Sequence, residues 1–434
     1  MPLCPCRSKS STQMLVILPL DSDERSEGNM SLLEALTMTS GLVYLVLLLW
    51  QGRSGWGWTL SLLLAAALWL LVADSVLWLA LGLVATTLAL WLRYRPLLML
   101  AHIDSQRLRT ATRQLLLLCW VLVAVQYVVH IGQLGQGMSP WLVRPDVVDG
   151  FLPIAGGLGL RTWLGQGLTD PHHPAATVTV LVLSLSALLL GRAFCAWFCP
   201  LGLVGEWLHG LRSRLLPGEW TPPRWLDAVL RGQKFLVLGF LLFIILLAVP
   251  AAALPGYLAS PYHQAADMKM GAFFFNLTLI SGLCLGWVLL LTATFRQGFC
   301  RYLCPYGAWM ALLGLLTPLR IRRDPARCLR SLGHDCDKCS RACPSRIQVH
   351  QLIAVRSLEC TSCQSCVAAC PKRADALHLG TRGLRLAPRQ LLGLLCLLLL
   401  VLPLLAYGLL DLWVSQTPIP DRYELLQRLP WLSH

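Results

Sequence analysis

Residues 359–372 read ECTSCQSCVAACPK. The spacing Cys360-x2-Cys363-x2-Cys366-x3-Cys370-Pro371 is the bacterial ferredoxin run, in which three close thiolates bind one cluster and the fourth usually binds the other cluster of a pair. This stretch therefore predicts a small fold organised around two [4Fe–4S] clusters.

A second run lies upstream and reads Cys328-x7-Cys336-x2-Cys339-x3-Cys343-Pro344. Its last three thiols match the ferredoxin run, and its first is displaced by a five-residue insertion. We expect one cluster on Cys328, Cys336, Cys339 and Cys370, and the other on Cys343, Cys360, Cys363 and Cys366. Zinc is the alternative, because Cys-x2-Cys pairs also bind it, but the two Cys-Pro endings disfavour zinc.

Two further cysteine pairs repeat at an interval of 105 residues, in GRAFCAWFCPLG (191–202) and RQGFCRYLCPYG (296–307). Each pair has the spacing C-x3-C-P and follows an apolar hairpin, which indicates an internal duplication. We expect Cys195, Cys199, Cys300 and Cys304 to meet at the membrane surface as a metal site. A third iron–sulfur cluster, another soft metal, a reversible dithiol pair or a purely structural turn would each fit. Arg192, Arg296 and Arg301 are expected to favour the thiolate form.

The surrounding composition is that of a membrane protein. Hydrophobic residues make up 56% of the 434 residues, charged residues only 13%, and the mean hydropathy is +0.60. A soluble domain carries about 25% charged residues. Eight stretches are long and apolar enough to span a bilayer, at residues 32–51, 56–73, 75–92, 114–135, 176–194, 234–254, 272–295 and 389–410.

The formal net charge of +14 divides unequally between the two sides defined by these spans. The side with the cysteine motifs carries +19 and the opposite side −5. Because cytoplasmic loops are rich in Lys and Arg, we predict an inner-membrane protein with all cysteine motifs cytoplasmic and both termini outside. The charge requires no nucleic acid partner.

The predicted fold is mainly α, a polytopic membrane protein of about eight helices with a small cytoplasmic α+β ferredoxin-like insert. Its predicted regions are a polar segment (1–31), N-terminal transmembrane helices (32–113), duplicated hairpins ending in C-x3-C-P (114–319), a two-cluster domain (320–388), and a last helix with its tail (389–434).

Paired C-x3-C-P motifs followed by a two-cluster segment resemble the membrane polyferredoxins of the NapH, MauN and NosR type. The likeness is carried by GRAFCAWFCPLG (191–202) and GFCRYLCPYGAW (298–309) and covers about residues 115–380. It implies electron transfer, often from quinol, to a periplasmic or membrane reductase or a maturation system. The stretched Cys328–Cys336 spacing and the three N-terminal spans depart from the family pattern. More distant CcoG-like proteins share the cysteine architecture and imply a copper-handling role.

The loops on the predicted outer side hold a candidate quinol or haem site. It comprises His130, the stretch Arg144–Gly157, the pair His172 and His173, and the stretch PYHQAADMKM (261–270) with His263, Asp267 and Lys269. A quinol site needs an apolar pocket with a proton acceptor, and these loops supply both kinds of residue.

Three functions follow as hypotheses. The first is a membrane-bound electron-transfer protein, for example the membrane component of a quinol dehydrogenase or reductase. The second is a copper-handling or maturation factor for a respiratory enzyme, and the third is a redox sensor or assembly subunit.

Overall fold

The computed structural model describes residues 105–216 and 222–432. The predicted polar segment 1–31, the predicted spans 32–51, 56–73 and 75–92, and most of the predicted region 32–113 lie outside the described residues.

The described chain is mainly helical, with one small sheet. In chain order its helices and strands are α1 (Ser105–Gly135), α2 (Pro153–Gln166), α3 (Pro174–Leu190), α4 (Ala193–Trp197), α5 (Pro200–Leu215), α6 (Arg224–Phe243), α7 (Leu254–Leu258), α8 (Pro261–Gln264), α9 (Ala266–Phe275), α10 (Leu279–Thr294), α11 (Gly298–Tyr302), α12 (Pro305–Leu313), β1 (Arg320–Arg323), α13 (Lys338–Arg341), α14 (Ser365–Ala368), β2 (Leu377–Gly380), β3 (Arg385–Leu386), α15 (Pro388–Cys396), α16 (Leu402–Leu410) and α17 (Ile419–Arg428).

Three continuous helical segments in the described residues are long and apolar enough to cross a membrane. They are Ser105–Gly135, Trp225–Ala248 and Pro388–Leu410. They overlap the predicted spans 114–135, 234–254 and 389–410. In the last two, one π-helical turn continues the α-helix, at Ile244–Ala248 and at Leu397–Val401.

Two predicted spans differ from straight helices of full length. The stretch predicted at 272–295 is two helices bent by 74°. Thr278 caps the start of the second helix, α10, in a reciprocal pair with Ser281. The span predicted at 176–194 is the 17-residue α3, which ends at Gly191 in a positive-φ conformation (+66°).

The region predicted as ferredoxin-like contains both helices and strands. The antiparallel sheet has the order β1-β2-β3, with Arg320 opposite Gly380 and Arg323 opposite Leu377. The pairing joins the start of the insert to its end. Ile321 and Leu379 are buried in a core that continues into α4 and α15.

The insert and the histidine-bearing loops lie at opposite ends of α1. At its start, Gln106 donates a hydrogen bond to the backbone carbonyl of Cys363 (3.3 Å). At its other end, His130 Nδ1 lies 2.8 Å from the carbonyl of Leu142. A 31-residue helix is about 46 Å long at a rise of 1.5 Å per residue, so the bundle separates the two candidate sites by roughly a membrane thickness.

Candidate metal centres

Four cysteines of the insert line one small cavity, here called the proximal cavity. They are Cys343, Cys360, Cys363 and Cys366. The rest of the wall includes the apolar side chains of Ile321, Val349 and Val355. Because these four were predicted to bind one cluster, the fold brings that predicted ligand set together around a largely apolar space.

The other four cysteines of the insert line a second cavity, here called the distal cavity. They are Cys328, Cys336, Cys339 and Cys370. Cys370 comes from the later ferredoxin run and Cys343 of the proximal cavity from the earlier one, so the crossed arrangement predicted from the spacing is present in the geometry. Cys366 and Cys339 are close enough to interact electrostatically, which puts the two cavities side by side.

The five-residue insertion after Cys328 forms a helical turn. Leu332 N–H donates to the carbonyl of Cys328 (3.1 Å), and His334 N–H to that of Leu329 (3.0 Å). The turn directs the backbone N–H groups of Arg330 and Ser331 at the Cys328 sulfur. Burial raises the pKa of this thiol, but these donors and Arg323 outweigh it and lower the pKa overall. The longer spacing is thereby compatible with a thiolate at this position.

The two C-x3-C-P motifs have the same local structure. Cys199 N–H donates to the carbonyl of Phe194 and Cys304 N–H to that of Phe299, both at 3.0 Å. Each second cysteine is the extended N-cap residue of the next helix, α5 or α12, and a proline follows at the first helical position. The sequence repeat is therefore also a repeat of backbone geometry.

The first cysteine of each motif reaches toward the other repeat. Cys195 Sγ lies 4.0 Å from Met310 Sδ in α12. A Cβ atom placed on Gly202, at the start of α5, would lie 3.9 Å from Cys300 Sγ. Cys300 interacts electrostatically with all three other motif cysteines. Cys300 thus lies within electrostatic range of the other three, and the four are here called the four-thiol site.

Burial dominates the protonation of these thiols when no metal is bound. Burial, followed by the charge of neighbouring thiols, raises the pKa of Cys199 to about 11 and that of Cys304 to about 12. Proximity to arginines was expected to favour the thiolate. That expectation does not hold for the free thiols at Cys199 and Cys304, because desolvation outweighs the arginine charge. Metal binding here would release protons.

Two side chains at the first motif donate hydrogen bonds that hold the wall of the proximal cavity against the four-thiol site. Arg192 donates to the carbonyls of Leu358 (2.6 Å) and Cys300 (3.3 Å). Trp197, which is fully buried, donates from Nε1 to the carbonyl of Ser362 (3.3 Å). The loop that carries Cys360 and Cys363 is therefore held directly against the motif that carries Cys195 and Cys199.

Within residues 105–216 and 222–432, no group of three or more His, Cys, Asp or Glu side chains has the geometry to hold a single metal ion. A [4Fe–4S] cluster places a different demand on the protein, since each of its thiolates binds a separate iron atom. Four thiols around a cavity fit that demand.

Family models match both parts of this arrangement. A model described as a 4Fe-4S binding domain matches residues 172–218 and again 277–323, each match covering one C-x3-C-P motif. A model described as a 4Fe-4S dicluster domain matches residues 320–371.

Curated proteins are similar to this chain over much of their length. The putative electron transport protein YccM of Escherichia coli is 41% identical over 268 residues, which cover 61% of this chain and 72% of that protein. The chain belongs to the NapH/MauN-type polyferredoxins.

Other relatives of this polyferredoxin are more distant. The methylamine utilization ferredoxin-type protein MauN of Methylobacillus flagellatus is 28% identical, with 50% of this chain and 80% of MauN covered. The ferredoxin-type protein NapH of Haemophilus influenzae is 27% identical, with 55% and 81% covered. No solved structure matches the chain. The protein is thus an iron–sulfur electron-transport protein with membrane helices.

At the opposite end of the polyferredoxin, buried charges from the predicted outer loops form one network. Arg144 donates to Asp146 (2.5 Å), to Asp267 (2.9 Å) and to Asp149. His173 Nδ1 lies 3.1 Å from Asp149 Oδ1. The network brings together Arg144, His173 and Asp267, which the sequence had marked as candidates.

The other outer candidates bind around this network. His263 Nε2 lies 2.8 Å from Asp170 Oδ2, and His172 Nδ1 lies 2.8 Å from Thr417 Oγ1. Lys269 donates to the backbone carbonyl of Leu432. Much of the outer set is therefore occupied in joining the loops to the C-terminal segment.

Sequence reasoning missed several residues that shape these sites, namely Gln106, Arg113, Asp170, Trp197, Lys234, Glu359 and Arg422. Arg422 is 7% exposed and donates to the carbonyl of Thr417 (3.0 Å). The sequence carries a signal for only two of them, Arg113 and Lys234. Each is a charged residue at the edge of an apolar span.

Proposed function

We propose that this polyferredoxin transfers single electrons between a quinol or a cytoplasmic donor and a redox partner protein. The path would use [4Fe–4S] clusters in the distal and proximal cavities and then the four-thiol site. The observation that carries the proposal is the succession of three four-cysteine groups, each next to the following one.

The residues present fit such clusters. Each insert cavity offers four thiols and apolar walls, and the Cys328 sulfur also receives backbone N–H donors. When bound, the clusters supply one-electron carriers, whose potentials depend on nearby charge, hydrogen bonds to sulfur and exposure. The chain's own part is to hold the thiolates, exclude water and keep neighbouring centres close.

Donor entry is proposed at two places. A cavity of about 540 Å³ opens beside the proximal cavity, between Asp227 and Arg301 on one side and Arg346 and Glu359 on the other. At the opposite end, Asp146 and His173 would accept protons released by quinol oxidation. We further propose that the cysteine motifs face the cytoplasm, that both termini face outward, and that the chain forms eight spans.

The proposal is tested on the full-length protein purified in detergent. Iron and acid-labile sulfide are counted, and EPR spectra are recorded before and after addition of quinol. We expect at least about eight iron atoms per chain and quinol-dependent reduction. Cys366→Ser should lose about four of them, whereas Cys396→Ser, a buried cysteine outside the motifs, should lose none. Zinc in place of iron would contradict the proposal, and clusters that neither quinol nor any reductant reduces would contradict electron transfer.

A copper-handling role is the second candidate, favoured by one contact. Met310 Sδ lies 4.0 Å from Cys195 Sγ, and thiolate with thioether sulfur is a soft ligand set that suits Cu(I). Under this candidate, copper binds stoichiometrically and is lost in Cys195→Ala. The matched control is Cys284→Ala, since Cys284 is exposed and stands outside the motifs.

A further inference from the structure

Two buried arginines at the four-thiol site have hydrogen-bond donors without partners. Arg113 is 1% exposed and Arg192 3% exposed. Arg113 uses Nη1 on Glu206 (2.8 Å), but its Nε and Nη2 have no partner. Arg192 uses Nη1 and Nη2 on backbone carbonyls, but its Nε has none. Leaving such donors buried and unpaired is costly, so a missing acceptor is indicated.

Both guanidinium groups lie at the thiols, and Arg192 interacts with the Cys195 side chain. A Cβ placed on Gly202 would be 3.1 Å from Arg113 Nη2 and 3.9 Å from Cys300 Sγ. A Cβ placed on Gly307 would be 3.2 Å from Arg192 Nη2 and 3.5 Å from the Cβ of Cys304. Gly202 and Gly307 hold the same position in the two C-P-x-G turns. Each repeat therefore has one guanidinium over its turn.

The buried charges around this site do not balance. Counting the buried cations against the carboxylates that contact them gives three against two: Arg113, Arg192 and Lys234 against Glu206 and Glu359. Arg301 is not counted, because it pairs with Asp227. An excess of one positive charge in a buried place calls for a negative group.

We infer that the four-thiol site holds an anionic iron–sulfur cluster, and that Arg113 and Arg192 are the positioning residues that donate hydrogen bonds to its sulfurs. This inference rests on the proposed electron-transfer function. A cluster core with four thiolates carries about two negative charges, whereas a pair of disulfides is neutral and would leave the guanidinium groups uncompensated. The two arginines would also make the cluster easier to reduce.

The experiment counts iron and follows a redox titration by EPR on the full-length chain in detergent. We expect about twelve iron atoms per chain, and a loss of about four in Cys199→Ser and in Cys304→Ser with the other signals kept. Arg113→Gln and Arg192→Gln should shift one centre alone to a lower midpoint potential. Arg161→Gln is the matched control, since that guanidinium donates instead to the carbonyls of Ile245 and Val249, and it should shift none.

Three other outcomes would contradict the inference. About eight iron atoms in the wild type, unchanged in Cys199→Ser, overturns the inference and leaves the proposed function standing. Almost no iron in any variant overturns both. Copper or zinc at the four thiols overturns the iron–sulfur assignment.

The role of Arg113 and Arg192 has its own test. If the glutamine variants lose the third centre while Arg113→Lys and Arg192→Lys keep it, the charge role is supported by the iron count. If the centre keeps its potential in the glutamine variants, that role is overturned.

Discussion

Lys234 joins the membrane helices to the ferredoxin insert through one buried ion pair. Its side chain is fully buried in α6, and its Nζ lies 2.7 Å from Glu359 Oε1. Glu359 directly precedes the proximal cysteine Cys360, and Arg192 approaches the same carboxylate at 4.0 Å. A buried pair adds little net stability, but removal of one partner leaves an uncompensated charge.

We predict that Lys234→Met lowers the free energy of unfolding by about 3 kcal/mol, because Glu359 is then buried with only Arg192 nearby. Denaturant unfolding of the purified chain measures the change. The double variant Lys234→Met/Glu359→Gln should recover most of the loss. Arg428→Gln breaks an exposed pair with Glu424 and should cost less than about 1 kcal/mol. Equal losses in Lys234→Met and Arg428→Gln would contradict the prediction.

At the scale of elements, α10 and α11 approach each other through their backbones. A Cβ placed on Gly298 would lie only 2.0 Å from the carbonyl oxygen of Leu291. The equivalent position of the first repeat is Ala193, which is buried and has room for its methyl group. The second repeat is thus the more tightly closed, and α11 carries Cys300 within that contact.

We predict that Gly298→Ala destabilises the chain by about 1 to 3 kcal/mol through overpacking and displaces Cys300. Thermal unfolding gives the first readout, and faster alkylation of Cys300 in the metal-free protein gives the second. Gly232→Ala is the control, because nothing lies within 4 Å of its Cβ position in α6 and alanine favours a helix. Similar behaviour of the two variants would refute the close contact.

The ferredoxin spacing predicted the division of eight insert cysteines between two cavities, because thiols separated by short intervals must lie close together. The repeat predicted that the C-x3-C-P cysteines meet. Hydropathy did not predict the 74° bend between α9 and α10, since an apolar run carries no signal for a break within it. Nor could it reveal that Arg113 faces the thiols, because the partner of a charged residue depends on packing between distant segments.

Across the whole molecule, the buried network opposite the insert ties the outer loops to the chain's last helix. Its charged members come from four segments and comprise Arg144, Asp146, Asp149, Asp170, His173, His263, Asp267 and Arg422. Burial raises the pKa of Asp146 to about 6. Burial lowers the pKa of His173, but the Asp149 carboxylate outweighs it and raises the pKa overall.

Both groups hold a proton more tightly in the folded chain than in the unfolded chain. Their contribution to stability is therefore complete below the unfolded values and is lost as pH rises through the folded ones. We predict that the melting temperature falls as pH rises from 3.8, the unfolded pKa of Asp146, through about 6, its folded pKa, and falls further above pH 6.5, the unfolded pKa of His173. His173→Gln should flatten the upper part of this dependence. His209→Gln, at the other end of the molecule, should leave it intact, and a flat wild-type profile would count against the network.

The insert docks on the membrane helices largely through main-chain acceptors. Gln106, Arg192, Trp197 and Arg301 donate to the carbonyls of Cys363, Leu358, Ser362 and Ser345, respectively. A carbonyl is the same whichever residue bears it, so evolution can change Leu358 without breaking the dock, while the four donors have far less freedom. Substitution during divergence should therefore be asymmetric across this contact, and insert sequences from relatives should be interchangeable wherever the loop keeps both its path and the glutamate at position 359.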